Sequence, residues 1–209
     1  KALPASFDWR NQSGKSYIGA VRDQGSAGSC YSFGACAAAE GTYNFAHGLY
    51  GSNCVDFSES YIAWSLGSIS PYTEHFSGGD GADYDYFELQ ALITPGLGTG
   101  REGVCFEAAF PYQDTQPSAS RIEESWTHPR VSFSDWGRVY PANYSDATAE
   151  IKMAILAYGV VDAAVLTTSA FDAYDSGVFE DTNTVPSANP YYYESTDHAI
   201  ALVGWDDSP

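Results

Sequence analysis

The sequence predicts an α+β fold of two lobes, a mainly helical lobe over residues 1–130 and a strand-rich lobe over residues 131–209. With 209 residues, of which 44% are hydrophobic, the chain can bury a sizeable core. Helical patterns are the clearest up to about residue 130, whereas short apolar and β-branched runs bounded by turn residues dominate afterwards. This change of pattern places the predicted boundary near Val131.

The helical lobe is organised around one helix, predicted from Cys30 to about Ala46. This run contains no proline and is rich in alanine, and it follows a segment, residues 3–29, that is rich in Gly, Ser, Asp and Gln. The pattern indicates a buried helix entered from a glycine-containing loop. Glycine and proline interrupt residues 48–118 repeatedly, so only short helices are expected there, around Ser58–Leu66 and Tyr86–Ile93.

The strand-rich lobe contains one predicted helix, which Asp146 is placed to cap and in which apolar residues recur at helical spacing as far as Tyr158. The other regular segments are apolar or β-branched runs bounded by turn residues, as in a closed sheet or barrel. These strands are predicted at Val131–Phe133, Arg138–Tyr140, Val160–Leu166, Gly177–Phe179 and His198–Trp205.

The charge of the chain argues against several classes of partner. Its 27 acidic and 9 basic side chains give a formal net charge of -18, which repels nucleic-acid phosphates and anionic lipid surfaces. Two explanations of the acidity stay open, solubility and function in an acidic compartment. No apolar run approaches the roughly 20 residues that span a bilayer, and the first residues do not resemble a signal peptide, so any signal or pro-segment is expected to have been removed.

The cysteines and sequons give weaker indications. The four cysteines form no CxxC pair and no histidine lies at zinc-finger spacing, so neither a structural metal nor a cofactor is predicted. Asn11 and Asn143 begin glycosylation sequons, which suit a secreted protein but are short enough to occur by chance.

Cys30 is the candidate nucleophile because it lies where the first helix begins. Unpaired backbone N–H groups and the positive end of the helix dipole favour a thiolate at such a position, and a neighbouring imidazolium lowers the thiol pKa further. His198 is the best candidate partner, since it opens an apolar strand that would hold its ring rigidly. The remaining histidines, which are expected at the surface, are His47, His75 and His128. Taken singly, a helical cysteine and a strand histidine are more often structural residues.

Several short blocks, in their order along the chain, make it resemble the papain family of cysteine peptidases, of cathepsin type. The blocks are Leu3–Arg10, Gly19–Val21, Gln24–Ser26, Gly28–Cys30, Phe57–Ser60, Gly78–Gly79, Phe110–Tyr112, Ser176–Phe179 and Asp197–Ala199. The resemblance implies a papain-like fold with a helical N-terminal lobe, a β-barrel-like C-terminal lobe and an active site in the cleft between them. It also implies the activity of that family, hydrolysis of peptide bonds through a thiolate–imidazolium pair and an acyl-enzyme.

The resemblance assigns roles residue by residue. Cys30 would be the nucleophile and His198 the base and acid, while Gln24 and the backbone N–H of Cys30 would form the oxyanion hole. Gly78 and Gly79 would pair with the backbone of an extended substrate. The implied partners are polypeptide substrates, protein inhibitors and a removed pro-segment, and the implied location is secreted, lysosomal or vacuolar.

Some departures from the family pattern concern the active site and the other cysteines. Ala27 replaces a cysteine that forms a disulfide in most members, and Tyr31 replaces the usual tryptophan. Cys36 is expected to be a buried free thiol. Cys54 and Cys105 are candidates for a disulfide with each other or for a bond to a second chain, because connectivity cannot be deduced from sequence.

Other departures concern the chain beyond the nucleophile. No Asn-Ser-Trp segment follows His198, so a light chain is expected to supply the imidazole-orienting asparagine. The Cys30–His198 interval exceeds the roughly 130 to 150 residues usual in the family, which predicts insertions at Gly67–Tyr84 and Asp181–Thr196. A catalytically silent binding or regulatory protein remains the main alternative, and a transglutaminase-like acyl transferase a weaker one. Side-chain specificity and the choice between endo- and exopeptidase action are left open.

Overall fold

The computed structural model describes residues 2–76, 78–83, 86–139, 146–180 and 196–208, and it contains both helices and strands as predicted. The helices of this part of the chain are α1 (Cys30–His47), α2 (Phe87–Ala91), α3 (Ala119–Ser125), α4 (Ala147–Tyr158) and α5 (Ser169–Asp172). The strands are β1 (Ser6–Asp8), β2 (Val104–Cys105), β3 (Arg130–Val131), β4 (Val161–Val165), β5 (His198–Leu202) and β6 (Gly204–Asp206). Shorter helical turns lie at Gly51–Asn53, Tyr61–Ser65, Leu66–Ser68 and Tyr72–Glu74.

Helix α1 confirms the prediction of a buried helix that begins at Cys30. It ends at His47 and is capped by Gly48, whose φ of 65° lies in the left-handed region and whose N–H donates to carbonyls of the last turn. The face packed into the protein carries small residues, including Ala35 and Ala39, which are at most 5% exposed. Small side chains on this face allow the strand-rich part of the chain to approach closely, since a Cβ on Gly41 would lie 2.2 Å from Val160.

The hydrophobic core around α1 is formed by aromatic and aliphatic side chains that are almost completely buried. Its largest members are Tyr61, Tyr72, Phe57, Phe110, Ile62 and Leu66. Where the sequence predicted an α-helix over Ser58–Leu66, the chain forms a wider π-helical turn at Tyr61–Ser65. This core also holds Gly78, whose N–H donates to the carbonyl of Ala63 in that turn.

The described strands pair antiparallel. β4 lies beside β5, with Val161 opposite Leu202 and Val165 opposite His198. β1 pairs with β6, so the first residues of the chain lie against the strand that follows β5. The indole N–H of Trp9 strengthens this link, because it donates to the Ile155 carbonyl on α4 at 3.0 Å. The division into residues 1–130 and 131–209 stays a prediction.

Several local predictions differ from the structure. Residues 138–139 and Gly177–Phe179 are not in strands, and the strand predicted over His198–Trp205 is divided at Val203 into β5 and β6. Asp146 precedes α4 as expected, but its side chain makes no capping hydrogen bond. The short elements β1, β2, α3 and α5 were not predicted, because runs of two to seven residues carry little periodic signal.

Two other predictions fall partly or wholly outside the described residues. Asn143 and residues 181–195 belong to this group, so one sequon and most of the second predicted insertion stay predictions. Asn11 is described and exposed, and its side-chain oxygen accepts from the N–H of Gly14 at 3.1 Å. None of the helices in the described part of the chain is both long and apolar enough to cross a membrane.

Candidate active site

A cavity of about 430 Å³ lies where α1 meets the β4–β5 pair. Cys30 reaches it from the first turn of α1 and His198 from the first residue of β5, while the backbone of Gly79 forms part of another wall. The structure thus brings together the predicted nucleophile, the predicted base and one of the predicted substrate-binding glycines. Their positions far apart in the sequence converge because β5 pairs with β4 beside the start of α1.

The surroundings of Cys30 oppose ionisation more than the sequence suggested. Burial raises the pKa of the Cys30 thiol, and the charge of Asp162 adds to this effect. The backbone N–H groups of Ala199 and Tyr31 act in the opposite direction, by favouring the thiolate. The expected lowering of the pKa by the helix N-terminus is therefore outweighed by desolvation of a half-buried sulfur.

Gln24 lies in the loop that leads into α1. Its side-chain amide donates to the Ala27 carbonyl at 2.9 Å, and its own carbonyl accepts from the Tyr112 hydroxyl at 2.8 Å. The buried Ser29 hydroxyl lies 2.7 Å from the same Tyr112 oxygen, so one tyrosine holds both ends of the loop before the nucleophile. Gln24 itself is not among the residues that line the cavity.

Gly78 and Gly79 are held tightly beside this loop. Gly78 has a φ of 58°, and its N–H donates to the Ala63 carbonyl at 2.8 Å, while a Cβ would lie 1.9 Å from the Trp64 ring. Its carbonyl accepts from the Tyr31 hydroxyl at 2.8 Å, so the tyrosine that departs from the family pattern anchors this segment. The Gly79 carbonyl accepts from the N–H of Gly28 at 2.8 Å.

The other cysteines are free thiols, and the predicted disulfide between Cys54 and Cys105 is wrong. Cys105 is completely buried on β2, where a hydrogen bond to Ser58 only partly offsets burial and its pKa rises to about 12. Cys54 is half-buried elsewhere, with its sulfur 3.6 Å from the Ser16 carbonyl. Cys36 is buried in α1, as predicted, and burial raises its pKa well above the ordinary value.

Two acidic residues in the cavity were missed by the sequence analysis. Glu88 on α2 and Asp162 on β4 both line the cavity, and burial raises the pKa of Glu88 to about 8 and that of Asp162 to about 7. A single Glu in a short helix and a single Asp in a strand give no sequence signal, because only the packing of α1 against α2 and β4 buries them. The histidine expected in a polar surface loop, His75, is instead half-buried and paired with Asp83 at 2.7 Å.

The described residues contain no group of three His, Cys, Asp or Glu side chains that could hold a metal ion.

Comparisons with known proteins identify the family of this chain. A family model described as papain family cysteine protease matches residues 3–209. Cysteine proteinase 2 of Entamoeba histolytica is 30% identical over 204 residues, which cover 97% of this chain and 55% of that protein. The chain therefore spans little more than half the length of this relative.

Two solved structures share the fold. The Carica candamarcensis cysteine protease CMS1MS2, solved in complex with E-64, superposes with a TM-score of 0.71 at 25% identity. The match covers 98% of this chain and 79% of that chain. The Amb a 11 cysteine protease, a major ragweed pollen allergen solved in its proform, has a TM-score of 0.71 at 20% identity. The match covers 99% of this chain and 52% of that chain. The predicted α+β, papain-like fold is confirmed.

Proposed function

The chain belongs to the papain family of cysteine proteases, and we propose from this premise that the protein hydrolyses peptide bonds with Cys30 as nucleophile and His198 as acid and base. The observation that supports the proposal best is the shared cavity, which is lined by Cys30 and His198 although one lies on α1 and the other on β5. Polypeptides are the proposed substrates.

In the proposed reaction, His198 takes the proton of Cys30 and the thiolate attacks the peptide carbonyl. The developing oxyanion is stabilised by the backbone N–H of Cys30 and the side-chain amide of Gln24. His198 then protonates the leaving amine, which leaves an acyl-enzyme, and the neutral imidazole activates the water that hydrolyses it. Because burial raises the pKa of Cys30, the positive imidazolium of His198 is the group that makes the thiolate accessible.

The Gln24 amide has two hydrogens. One is used by the Ala27 carbonyl, and this bond at 2.9 Å fixes the plane of the amide. The other is proposed to reach the oxyanion once substrate occupies the cavity, since catalytic hydrogen bonds often tighten only in the complex. The backbone at Gly79, which lines the cavity without a side chain, is proposed to pair with the extended substrate, beside Gly78.

Three further parts of the proposal concern partners and location. A light chain supplies the asparagine that orients His198, as the family resemblance implies. A pro-segment that covers the cleft is removed on activation, and protein inhibitors bind the same cleft. The active protein is secreted or resides in a lysosome or vacuole, which suits a net charge of -18.

The test is the rate of alkylation of the intact protein by iodoacetamide as a function of pH, with the modified residue located by mass spectrometry. We expect rapid labelling of Cys30 well below pH 8.5, the pKa of an ordinary thiol being about 8.5, and loss of this rapid phase in His198→Ala. Cys54 is a matched internal control, because it is also half-buried but lies outside the cavity. Labelling of Cys30 no faster than that of Cys54 would contradict the proposal.

One observation favours a second candidate, a catalytically silent binding protein of the same fold. The raised pKa of Cys30 is what a thiol without an ion-pair partner would show. A silent protein would bind peptides but would show slow alkylation at acidic pH and no turnover.

A further inference from the structure

Glu88 and Asp162 are an unusual feature of the cavity because each has an oxygen without a partner. Glu88 is 5% exposed, and its Oε2 atom is buried without a hydrogen-bond partner among the described residues. The Oδ1 atom of Asp162 is also buried, and within the described part of the chain it too has no partner. Both residues line the cavity that contains Cys30. Buried carboxyl oxygens normally have partners, so each points to a group that is supplied from outside.

The other acidic residues around the cavity are bonded differently. Asp83 is paired with His75 at 2.7 Å. Asp197 accepts from the backbone and hydroxyl of Thr167, at 2.7 and 3.1 Å. Glu88 and Asp162 are therefore distinguished by their orphaned oxygens and not simply by their charge.

The cavity also has a marked excess of acidic side chains. Five of the described residues that line it are acidic, whereas His198 is their only basic counterpart; the acidic residues are Asp80, Asp83, Glu88, Asp162 and Asp197. The guanidinium of Arg138 lies 4.8 Å from the centre of the Tyr86 ring, but Arg138 is not itself among the lining residues. Such a wall favours a cationic group over a neutral or anionic one.

We infer that the cavity beside the nucleophile binds a lysine or arginine side chain of the substrate, whose cationic head is held between the carboxylates of Glu88 and Asp162. The inference rests on the proposed function, because it takes the ligand to be a peptide. The cavity of about 430 Å³ falls within the range of roughly 300 to 1,000 Å³ that is usual for ligand pockets. A guanidinium suits the site well, since its planar fork donates to two carboxylates at once.

Gly34 on α1 makes this arrangement sterically possible. A Cβ at position 34 would lie 2.2 Å from Asp162 Oδ1, so the absence of a side chain on the helix allows the carboxyl to pack against α1. Asp162 is thereby placed close enough to Cys30 for its charge to raise the pKa of that thiol.

Binding of the cation is coupled to release of protons. Burial is the largest cause of the raised pKa values of both acids, and the charges of Asp162 and Asp83 raise that of Glu88 further. Tyr31 faces Glu88 from α1 and Cys30 faces Asp162, and neither supplies a positive charge. A bound ammonium or guanidinium favours the ionised carboxylates, so a protein that was partly protonated near pH 7 loses protons when the ligand binds.

The experiment measures peptide binding to the intact protein carrying Cys30→Ala, which removes turnover and keeps the cavity. Acetylated tetrapeptide amides carry arginine at each position in turn, and the matched peptides carry citrulline, which has nearly the same shape without the charge. We expect arginine at one position to bind about 10- to 100-fold more tightly than citrulline, as a charge-assisted hydrogen bond at a desolvated site would give. Titration calorimetry in two buffers of different ionisation enthalpy should also show proton release for the arginine peptide.

Substitutions of Glu88 and Asp162 test whether these two carboxylates cause the preference for arginine. Glu88→Gln and Asp162→Asn preserve shape and should each reduce the preference for arginine about tenfold. Glu123→Gln is the matched control, because Glu123 is exposed on α3 and its substitution changes the net charge equally. The peptide comparison needs no acid variant, so it stands even if one of them fails to fold.

The outcomes separate the two proposals. Equal binding of arginine and citrulline peptides, or no binding of either, would overturn the inference, as would an unchanged preference in both acid variants. Tight arginine binding without turnover by the unsubstituted protein would leave the inference intact and contradict the proposed function. Turnover without a preference for arginine would support the proposed function and overturn the inference.

Discussion

A cluster of acids between residues 40 and 107 should make the stability of the protein depend steeply on pH. Glu59 is 3% exposed, and burial together with the neighbouring charges of Glu40, Glu107 and Asp56 raises its pKa to about 8. Burial raises the pKa of Glu40 to about 7, although its Oε1 accepts from the Phe57 N–H at 2.7 Å. Buried carboxyls of this kind are neutral at acidic pH and are disfavoured once they ionise.

The direction of the effect follows from the two pKa values of each acid. In the unfolded chain a glutamate ionises near pH 4.5, whereas in the folded protein Glu59 keeps its proton up to about pH 8. Stability is therefore fully present below pH 4.5 and is lost as the pH rises towards 8. This difference between the folded and unfolded pKa of Glu59 corresponds to a loss of unfolding free energy on the order of 3–5 kcal/mol. That is a large part of the roughly 5–15 kcal/mol by which a typical protein is stable.

The assay is urea unfolding followed by the fluorescence of the five tryptophans, at pH 4.5, 6, 7 and 8, in the Cys30→Ala background to prevent self-digestion. We expect the free energy of unfolding to fall steadily over this range, and Glu59→Gln to flatten the dependence because an amide cannot ionise. Glu123→Gln, on the surface of α3, should leave the slope unchanged. Equal stability at pH 4.5 and pH 8, or a full slope in Glu59→Gln, would refute the reasoning.

Two further substitutions test the loops around the nucleophile. Gln24→Ala should lower kcat by about 10²- to 10³-fold with little change in KM, because it removes an oxyanion donor, and steady-state kinetics with an unchanged kcat would exclude Gln24 from that role. Gly78→Ala should destabilise the protein by about 1–3 kcal/mol more than Gly48→Ala. Both glycines have φ near 60°, at 58° and 65°, but only at Gly78 would a Cβ collide with Trp64, while the space around Gly48 is open. Equal unfolding free energies for the two variants in urea would show that the Trp64 ring can move aside without destabilising the protein.

Local patterns predicted the parts of the molecule in which neighbouring residues carry enough information. The α1 helix begins at Cys30 as expected, because a glycine-containing loop followed by a long alanine-rich run without proline permits little else. The start of β5 at His198 was predicted for a similar reason, since an apolar run follows it. Short elements such as β2 and α5 were missed because two or four residues show no period.

The disulfide prediction failed for a different reason. Cys54 and Cys105 both lie in stretches that resemble loops in sequence, yet Cys105 is buried on β2 and Cys54 faces the Ser16 carbonyl. Distances between residues far apart in the chain are set by packing, and no local pattern reports them.

By itself, the sequence determined the nucleophile-bearing helix, the strand that begins with His198 and the resemblance to one family, since each depends on residues that are adjacent or ordered along the chain. Only the tertiary structure decided that Glu88 and Asp162 line the same cavity as Cys30, and that burial raises the pKa of that thiol. The physical reason is that desolvation and the orphaning of a polar atom depend on what surrounds a side chain from every direction, and α1, α2 and β4 meet there only after the chain has folded.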